Sequence, residues 1–223
     1  GLHFFVNYKQ AEIRQWQLEA TVKEAELRAL KSQLNPHFLF NCLNSIRALV
    51  IEEPNRAQDG VTKLASILRY CLQSGEIETA TLRSELRFVE DYIDLEAIRF
   101  EDRLAVHMQI APDTLDQQIP PMTLQILVEN GIKHGIAKSP TGGELTVSAW
   151  MQETDLHIQV CNTGSLATGE SSTRLGVKNA SERLKLIFGE AASLSIANTI
   201  NNCVMAKLVI PTKRTSNASI NSR

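Results

Sequence analysis

Apolar residues in the first part of the chain recur every three or four positions, which is the spacing of an amphipathic helix. Residues 8–34 contain neither glycine nor proline, and their apolar positions form a heptad-like seam, interrupted at Lys23, made of Ile13, Trp16, Ala20, Leu27, Leu30 and Leu34. This pattern predicts a signalling helix over residues 1–32 that pairs with another helix as a coiled coil. A helix that packs only within its own chain is the alternative.

The helical spacing continues over two segments separated by Glu53-Pro54-Asn55, which predicts a helical hairpin over residues 33–78. On the first segment one face carries Leu39, Leu43, Ile46 and Val50. The second segment ends near Gln73, and its apolar side carries Val61, Leu64, Ile67, Leu68 and Leu72. Two antiparallel helices alone cannot cover faces this broad, so we expect a homodimer with a four-helix bundle.

A third helix is predicted from Ser84 to Phe100, after a linker from Gly75 to Thr81 that could act as a hinge. Its apolar positions are Leu86, Val89, Tyr92, Ile93 and Ile98. Glu85 falls in the first turn, where a negative charge suits the helix dipole.

Beyond residue 100 the apolar positions alternate, which predicts strands near residues 104–110, 145–149, 156–160, 194–196 and 204–210. Helices are predicted from Met122 to Ala137, after two prolines, and from Gly176 to Phe188. The fold class is therefore α+β: a helical region, then a two-layer α/β sandwich with a largely antiparallel sheet over residues 79–211. The polar residues 212–223 predict a disordered tail.

Composition narrows the function classes. The net charge of -2 disfavours direct binding of nucleic acid. The four cysteines are widely scattered, which argues against a zinc site or a disulfide framework. No apolar run is long enough to span a bilayer, although the apolar start of the chain is compatible with a membrane span further upstream.

The first candidate for chemistry is His37. It follows Pro36, which kinks or ends a helix, and it shares a polar face with Asn41 and Asn44. These neighbours favour an accessible, reactive imidazole. A histidine buried or half-buried in a helix bundle is the alternative.

A second group of polar residues lies on the helix predicted after Met122. Glu129, Asn130, Lys133 and His134 fall within about one and a half turns. An amide oxygen such as that of Asn130 can bind Mg²⁺, and Lys133 can bind phosphate oxygens. An exposed polar face with an ordinary Glu–Lys pair is the alternative.

Two glycines further along would suit a phosphate ligand. Asn162 ends a predicted strand and is followed by Gly164, which permits a close backbone approach. After a loop from Ser165 to Arg174, Gly176 is predicted to open a helix, whose N-terminus favours phosphate.

Taken together, these segments resemble a LytS-like sensor histidine kinase. Residues 33–41 resemble its phosphoacceptor motif, and residues 120–135 resemble the asparagine box of its GHKL-type ATP-binding domain. Residues 67–70, 96–100 and 176–184 resemble further family segments. The resemblance implies a Bergerat-type ATP-binding fold.

The resemblance also implies cofactors and residue roles. ATP and Mg²⁺ would be the cofactors, and His37 would accept the phosphoryl group. Asn41 could position a water for the reverse, phosphatase reaction, or be purely structural. Asn130 would coordinate Mg²⁺. Glu129 would line the nucleotide site with a catalytic role, and the remaining nucleotide-site residues would be Lys133, His134, Asn162, Gly164, Gly176 and Asn179.

The family resemblance implies two partners, a second copy of the chain and a response regulator, and a DNA-binding LytTR type is one candidate for the regulator. The chain would be the cytoplasmic part of a bacterial inner-membrane protein, anchored through an upstream segment.

Four positions depart from the family pattern. Asn162 replaces an aspartate that contacts adenine, Leu166 and Arg174 replace glycines, and Phe38 stands where better-known histidine kinases carry an acidic residue. Two other functions therefore stay open: a dimeric scaffold that binds nucleotide without transfer, and a GHKL-type ATPase.

Overall fold

The structure, a computed structural model, describes residues 36–75, 77–166, 171–199 and 202–212, with the backbone alone for residues 171–175. The predicted coiled-coil helix and the polar tail beyond residue 212 lie outside this range, as does any kink before Pro36. In the described residues, no helix is both long and apolar enough to cross a membrane.

Three helices form one layer: α1 (Pro36–Glu52), α2 (Pro54–Ser74) and α3 (Leu82–Phe100). Each packs against the other two. The helices α1 and α2 are separated by Glu53 alone, and Pro54 occupies the first position of α2, where a missing N–H costs nothing. The predicted hairpin is therefore confirmed.

The apolar face of α1 that the sequence indicated, with Leu39, Leu43, Ile46 and Val50, is mostly not the face that packs within the described residues. The buried residues of α1 are Phe38, Cys42, Ile46 and Leu49, so Ile46 alone belongs to both sets. Leu43 and Val50 remain 54% and 55% exposed. On α2, Val61 and Leu72 also remain exposed, whereas Leu64 and Ile67 are buried. Both helices thus carry apolar residues on two sides, and the described part of the chain covers only one of them.

The predicted linker contains regular structure at its end. Ala80 and Thr81 form a short strand, β1 (Ala80–Thr81), which pairs antiparallel with β3 (Gln118–Ile119). Thr81 also caps α3 by accepting a hydrogen bond from the N–H of Ser84 at 3.2 Å. For this reason α3 begins at Leu82 rather than at Ser84.

A five-stranded sheet forms the second layer, in the order β2-β4-β5-β7-β6. Its strands are β2 (Leu104–Ile110), β4 (Gly143–Gln152), β5 (Asp155–Thr163), β6 (Ser193–Asn198) and β7 (Cys203–Pro211). Only β2 and β4 pair in parallel, so the predicted largely antiparallel sheet is confirmed.

The helices α4 (Thr123–His134) and α5 (Ser171–Phe188) accompany this sheet: α4 packs against β4 and β5, and α5 against β6. The fully buried Leu145, Leu156 and Ile158 contribute to a core that continues through α4 to the three-helix layer. The predicted α+β class with a helical front and a two-layer sandwich is therefore confirmed.

Two helix boundaries differ from the prediction. Helix α4 ends at His134, and a single 3₁₀ turn covers Ile136–Lys138. Helix α5 begins at Ser171, so Gly176 lies inside the helix and the predicted loop ends before Ser171. A glycine inside a helix costs only about 1 kcal/mol relative to alanine, which does not suffice to end it. The predicted helix start at Gly176 is therefore wrong, while the phosphate-binding role of Gly176 stays a prediction.

Candidate functional site

A cavity of about 620 Å³ lies between α4, α5 and the strands β5, β6 and β7. This volume falls in the range of small-molecule sites. Its lining combines polar and charged side chains, namely Asn130, His134, Asn162, Ser165, Lys178, Ser181, Glu182 and Lys185, with the apolar Leu166, Val177, Leu194, Ile196 and Val204. An apolar wall beside convergent polar groups can take up a flat ring with a charged substituent.

Three predicted residues meet in this cavity. Asn130 and His134 project from successive turns of α4, and Asn162 reaches the cavity from the end of β5. Asn162 is only 5% exposed, and its Nδ2 donates to the Thr163 carbonyl at 3.0 Å. This bond holds the amide plane in place at the cavity wall.

Close packing between α4 and the end of β5 requires glycine. A Cβ on Gly135 would lie 2.2 Å from Asn162 Nδ2, and one on Gly131 would lie 3.1 Å from Asn162 Oδ1. Gly164 has a φ of +131°, and a Cβ there would lie 3.0 Å from the Cα of Gly135. Gly164 thus allows its own backbone to approach that of Gly135 beside the cavity, although Gly164 does not line the cavity itself.

The other predicted nucleotide-site residues do not line the cavity. Lys133 and Asn179 are exposed, and the Cα of Gly176 faces Ile126 of α4. Glu129 is half-buried. Burial, together with the nearby negative charges of Glu85 and Glu129, raises the pKa of Cys71 on α2 to about 12. Glu129 therefore lies toward the helical layer.

The sequence prediction missed the contribution of α5. Lys178, Ser181, Glu182 and Lys185 follow helical spacing and line the cavity together. Lys178 Nζ lies 3.7 Å from Glu182, and Lys185 Nζ lies 2.7 Å from Glu190. The helical spacing of these residues after Gly176 is the sequence pattern from which they could have been predicted.

His37 lies outside the cavity, on the first described turn of α1, and its side chain is exposed. The accessible imidazole was therefore the correct alternative. Asn41 Nδ2 lies 3.2 Å from His37 Nδ1. The next residue, Phe38, is buried and packs on Tyr92 of α3 with ring centroids 4.6 Å apart. This contact anchors the helix while the neighbouring imidazole points to solvent.

The residues in the cavity fit a magnesium nucleotide. Mg²⁺ takes oxygen ligands, keeps several waters and needs few protein groups, which the amide oxygen of Asn130 satisfies. Among the described residues there is no cluster of three or more His, Cys, Asp or Glu side chains that could hold a metal by themselves. Lys178 and Lys185 add positive charge suited to phosphate.

Comparison with known proteins gives a consistent result. Residues 25–104 match the family model for histidine kinases. The chain is 34% identical over 190 residues to the sensor protein LytS of Staphylococcus saprophyticus, a match that covers 79% of this chain and 32% of that protein. It is 33% identical over 180 residues to the sensor histidine kinase BtsS of Escherichia coli, with 80% and 32% covered.

Among solved structures, the chain is similar to histidine kinase ThkA in its complex with the response regulator protein TrrA, with 14% identity, a TM-score of 0.45, and 94% of this chain and 67% of that chain covered. The chain spans about a third of the length of the two curated relatives. The family match and these relatives together show that the chain belongs to the LytS-like sensor histidine kinases.

Proposed function

We propose that this chain transfers the terminal phosphoryl group of ATP to His37 and then to an aspartate of a response regulator. The observation that carries the proposal is the placement of two groups around α4. A cavity with Asn130, His134 and Asn162 lies on one side, and the layer that carries the exposed His37 packs against another.

The cavity residues would take different roles. Asn130 would hold Mg²⁺, which neutralises phosphate charge when bound, while Lys178 and Lys185 would bind phosphate oxygens. The amide of Asn162 would accept a hydrogen bond from the base more weakly than the family's aspartate does. His134 completes the polar wall.

Glu129, Lys133, Gly176 and Asn179 do not line the cavity, so their contributions differ from those of the lining residues. Gly176 allows α5 to lie close to α4, since a Cβ there would be 3.8 Å from Ile126. Glu129 lies toward the layer that carries His37, which is compatible with its predicted catalytic role. The exposed Lys133 and Asn179 could contact phosphate only after the helices rearrange.

The attacking atom is a ring nitrogen of His37. A neutral imidazole has a lone pair on one nitrogen, so phosphoryl transfer needs alignment more than a strong base. Transfer to His37 therefore does not require an acidic residue at the next position, where this chain has Phe38. The amide of Asn41 beside Nδ1 orients the ring, and the same amide could position a water in the phosphatase reaction.

Exposed apolar residues support the homodimer. Phe40, Leu43 and Val50 share one face of α1, and Val61 and Leu72 are exposed on α2. A second copy would cover them in a four-helix bundle.

The proposed units are residues 33–78 for dimerisation and phosphotransfer and residues 79–211 for ATP binding, while residues 1–32 link to a membrane anchor upstream.

The test is incubation of the chain with Mg²⁺ and ATP labelled on the terminal phosphate. We expect label on the protein that is lost in acid, as phosphohistidine is. His37→Ala should abolish labelling and leave nucleotide binding intact. His107→Ala, which removes another exposed histidine, is the control and should label normally. Label retained by the His37 variant would refute this assignment.

The two alternatives predict different outcomes. The neutral Asn162 at the cavity wall favours a scaffold that binds nucleotide without transfer, which would give binding but no label. An ATPase would release phosphate steadily while the protein stays unlabelled.

A further inference from the structure

A buried carboxylate connects the helical layer to the first turn of α4. Glu85 of α3 is 0% exposed. Its Oε1 accepts hydrogen bonds from the Tyr70 hydroxyl of α2 and from the Met122 N–H at 2.7 Å, and its Oε2 accepts one from the Leu124 N–H at 3.1 Å. A buried carboxylate is costly without such donors, so these hydrogen bonds fix the positions of the Glu85 carboxylate and of its donors relative to one another.

Helix α4 depends on this carboxylate because it has no cap of its own. Met122 is the N-cap residue, adopts a left-handed conformation with a φ of 66°, and makes no side-chain capping bond. The first N–H groups of a helix have no partner inside the helix. Glu85 accepts from two of them, so a residue of α3 fixes where α4 starts.

Arg183 brings α5 to the same place. Its Nη1 donates to the Pro121 carbonyl at 3.2 Å, and its Nη2 donates to the Ile77 carbonyl at 3.4 Å. Pro121 directly precedes Met122, and Ile77 lies between α2 and α3. Both helices that line the cavity are therefore attached where α2 meets α3.

We propose that Tyr70, Glu85 and Arg183 form a helix-start joint through which the packing of α2 sets the position of α4 and α5 relative to His37. Asn130 lies about two turns beyond the start of α4, so a shift at the joint moves the cavity wall. The three residues are positioning residues, since none of them lines the cavity. Their effect on transfer rests on the proposed kinase function.

Tyr70→Phe tests the joint because it removes the hydroxyl and keeps the ring, which packs on Phe88 with centroids 5.1 Å apart. Tyr92→Phe is the matched control. The Tyr92 hydroxyl also donates to a buried glutamate, Glu96, at 3.4 Å, but both residues lie within α3. Thermal unfolding checks that both variants are folded.

The first measurement needs no nucleotide. Hydrogen exchange is followed in residues 122–128 of the free protein. We expect Tyr70→Phe to speed exchange there about tenfold, the effect of losing one hydrogen bond to a charged group, and Tyr92→Phe to leave it within about twofold. Equal exchange rates in the unaltered protein and in both variants would refute the proposed joint, whether or not the chain is a kinase.

The second measurement is autophosphorylation. Nucleotide bound between α4 and α5 moves with both helices, so Tyr70→Phe should lower kcat about tenfold and leave KM for ATP within about twofold. A normal kcat, or a KM that rises in parallel, would overturn the positioning role. If the unaltered chain takes up no label, the proposed kinase function fails, and the exchange result still decides on the joint.

Discussion

The two layers of this molecule differ in how completely they cover their apolar residues. In the sheet layer, Leu145, Leu156 and Ile158 are fully buried beneath helices of the same chain. In the hairpin, by contrast, Phe40, Val50 and other large apolar side chains face solvent. A layer that completes its own core can fold as a unit, whereas an apolar surface left open marks an interaction site. Within the described residues, this difference supports the proposal that a second copy of the chain covers the hairpin.

A core truncation in each layer should give the largest difference. Ile158→Ala removes three buried carbons from the centre of the sheet and should destabilise the protein by about 2–5 kcal/mol. Val61→Ala, on the exposed face of α2, should cost less than about 1 kcal/mol in the monomer. Urea unfolding at low protein concentration measures both. Similar losses would mean that the hairpin face is as well covered as the core.

A charge on each layer's exposed apolar surface tests the same difference in solution. Val50→Asp puts a carboxylate on the open face of α1 and should convert a dimer to a monomer, because an unpaired charge would be buried at the interface. Leu186→Asp, at an exposed position of α5, is the matched control and should leave the dimer intact. Sedimentation velocity separates the two outcomes. Dissociation by Leu186→Asp alone would place the partner on the sheet layer instead.

Periodicity predicted the strands and helices of this fold well, because each strand buries one face and alternates accordingly. It could not decide between two apolar faces on α1. There, Leu43 and Val50 match the helical spacing as well as Cys42 and Leu49 do. A sequence with apolar residues on two sides of a helix cannot say which side its own chain covers.

The candidate site was predictable where a motif fixed the residues and not where two elements had to meet. Asn130, His134 and Asn162 converge as the family resemblance implied. Lys178 was missed because the face of α5 that meets the cavity depends on how α5 packs against α4 and β6. Glu85 was interpreted as a first-turn charge that suits the helix dipole, and two of its partners lie 37 and 39 residues away along the chain.

The boundary between the layers should respond to pH through Glu85. Burial raises the pKa of this carboxyl above its usual value of 4.5, although the hydrogen bonds from Tyr70, Met122 and Leu124 and the charge of Arg183 act in the opposite direction. The folded protein therefore holds the Glu85 proton more tightly than the unfolded chain does. This contribution to the free energy of unfolding is fully present below the unfolded pKa and is lost as the pH rises above it.

The smallest expected effect is a pH-dependent difference in stability between the unaltered protein and Glu85→Gln. Glutamine cannot ionise, so the variant does not lose unfolding free energy through this group as the pH rises. Its altered hydrogen bonds change the free energy of unfolding by an amount that does not vary with pH. The free energy of unfolding should therefore change in favour of the variant as the pH rises above about 4.5, as measured by urea unfolding at several pH values. Glu182→Gln is the control, since that exposed residue should leave the pH profile unchanged. A difference between Glu85→Gln and the unaltered protein that stays constant with pH would show that burial at the boundary does not control this carboxyl.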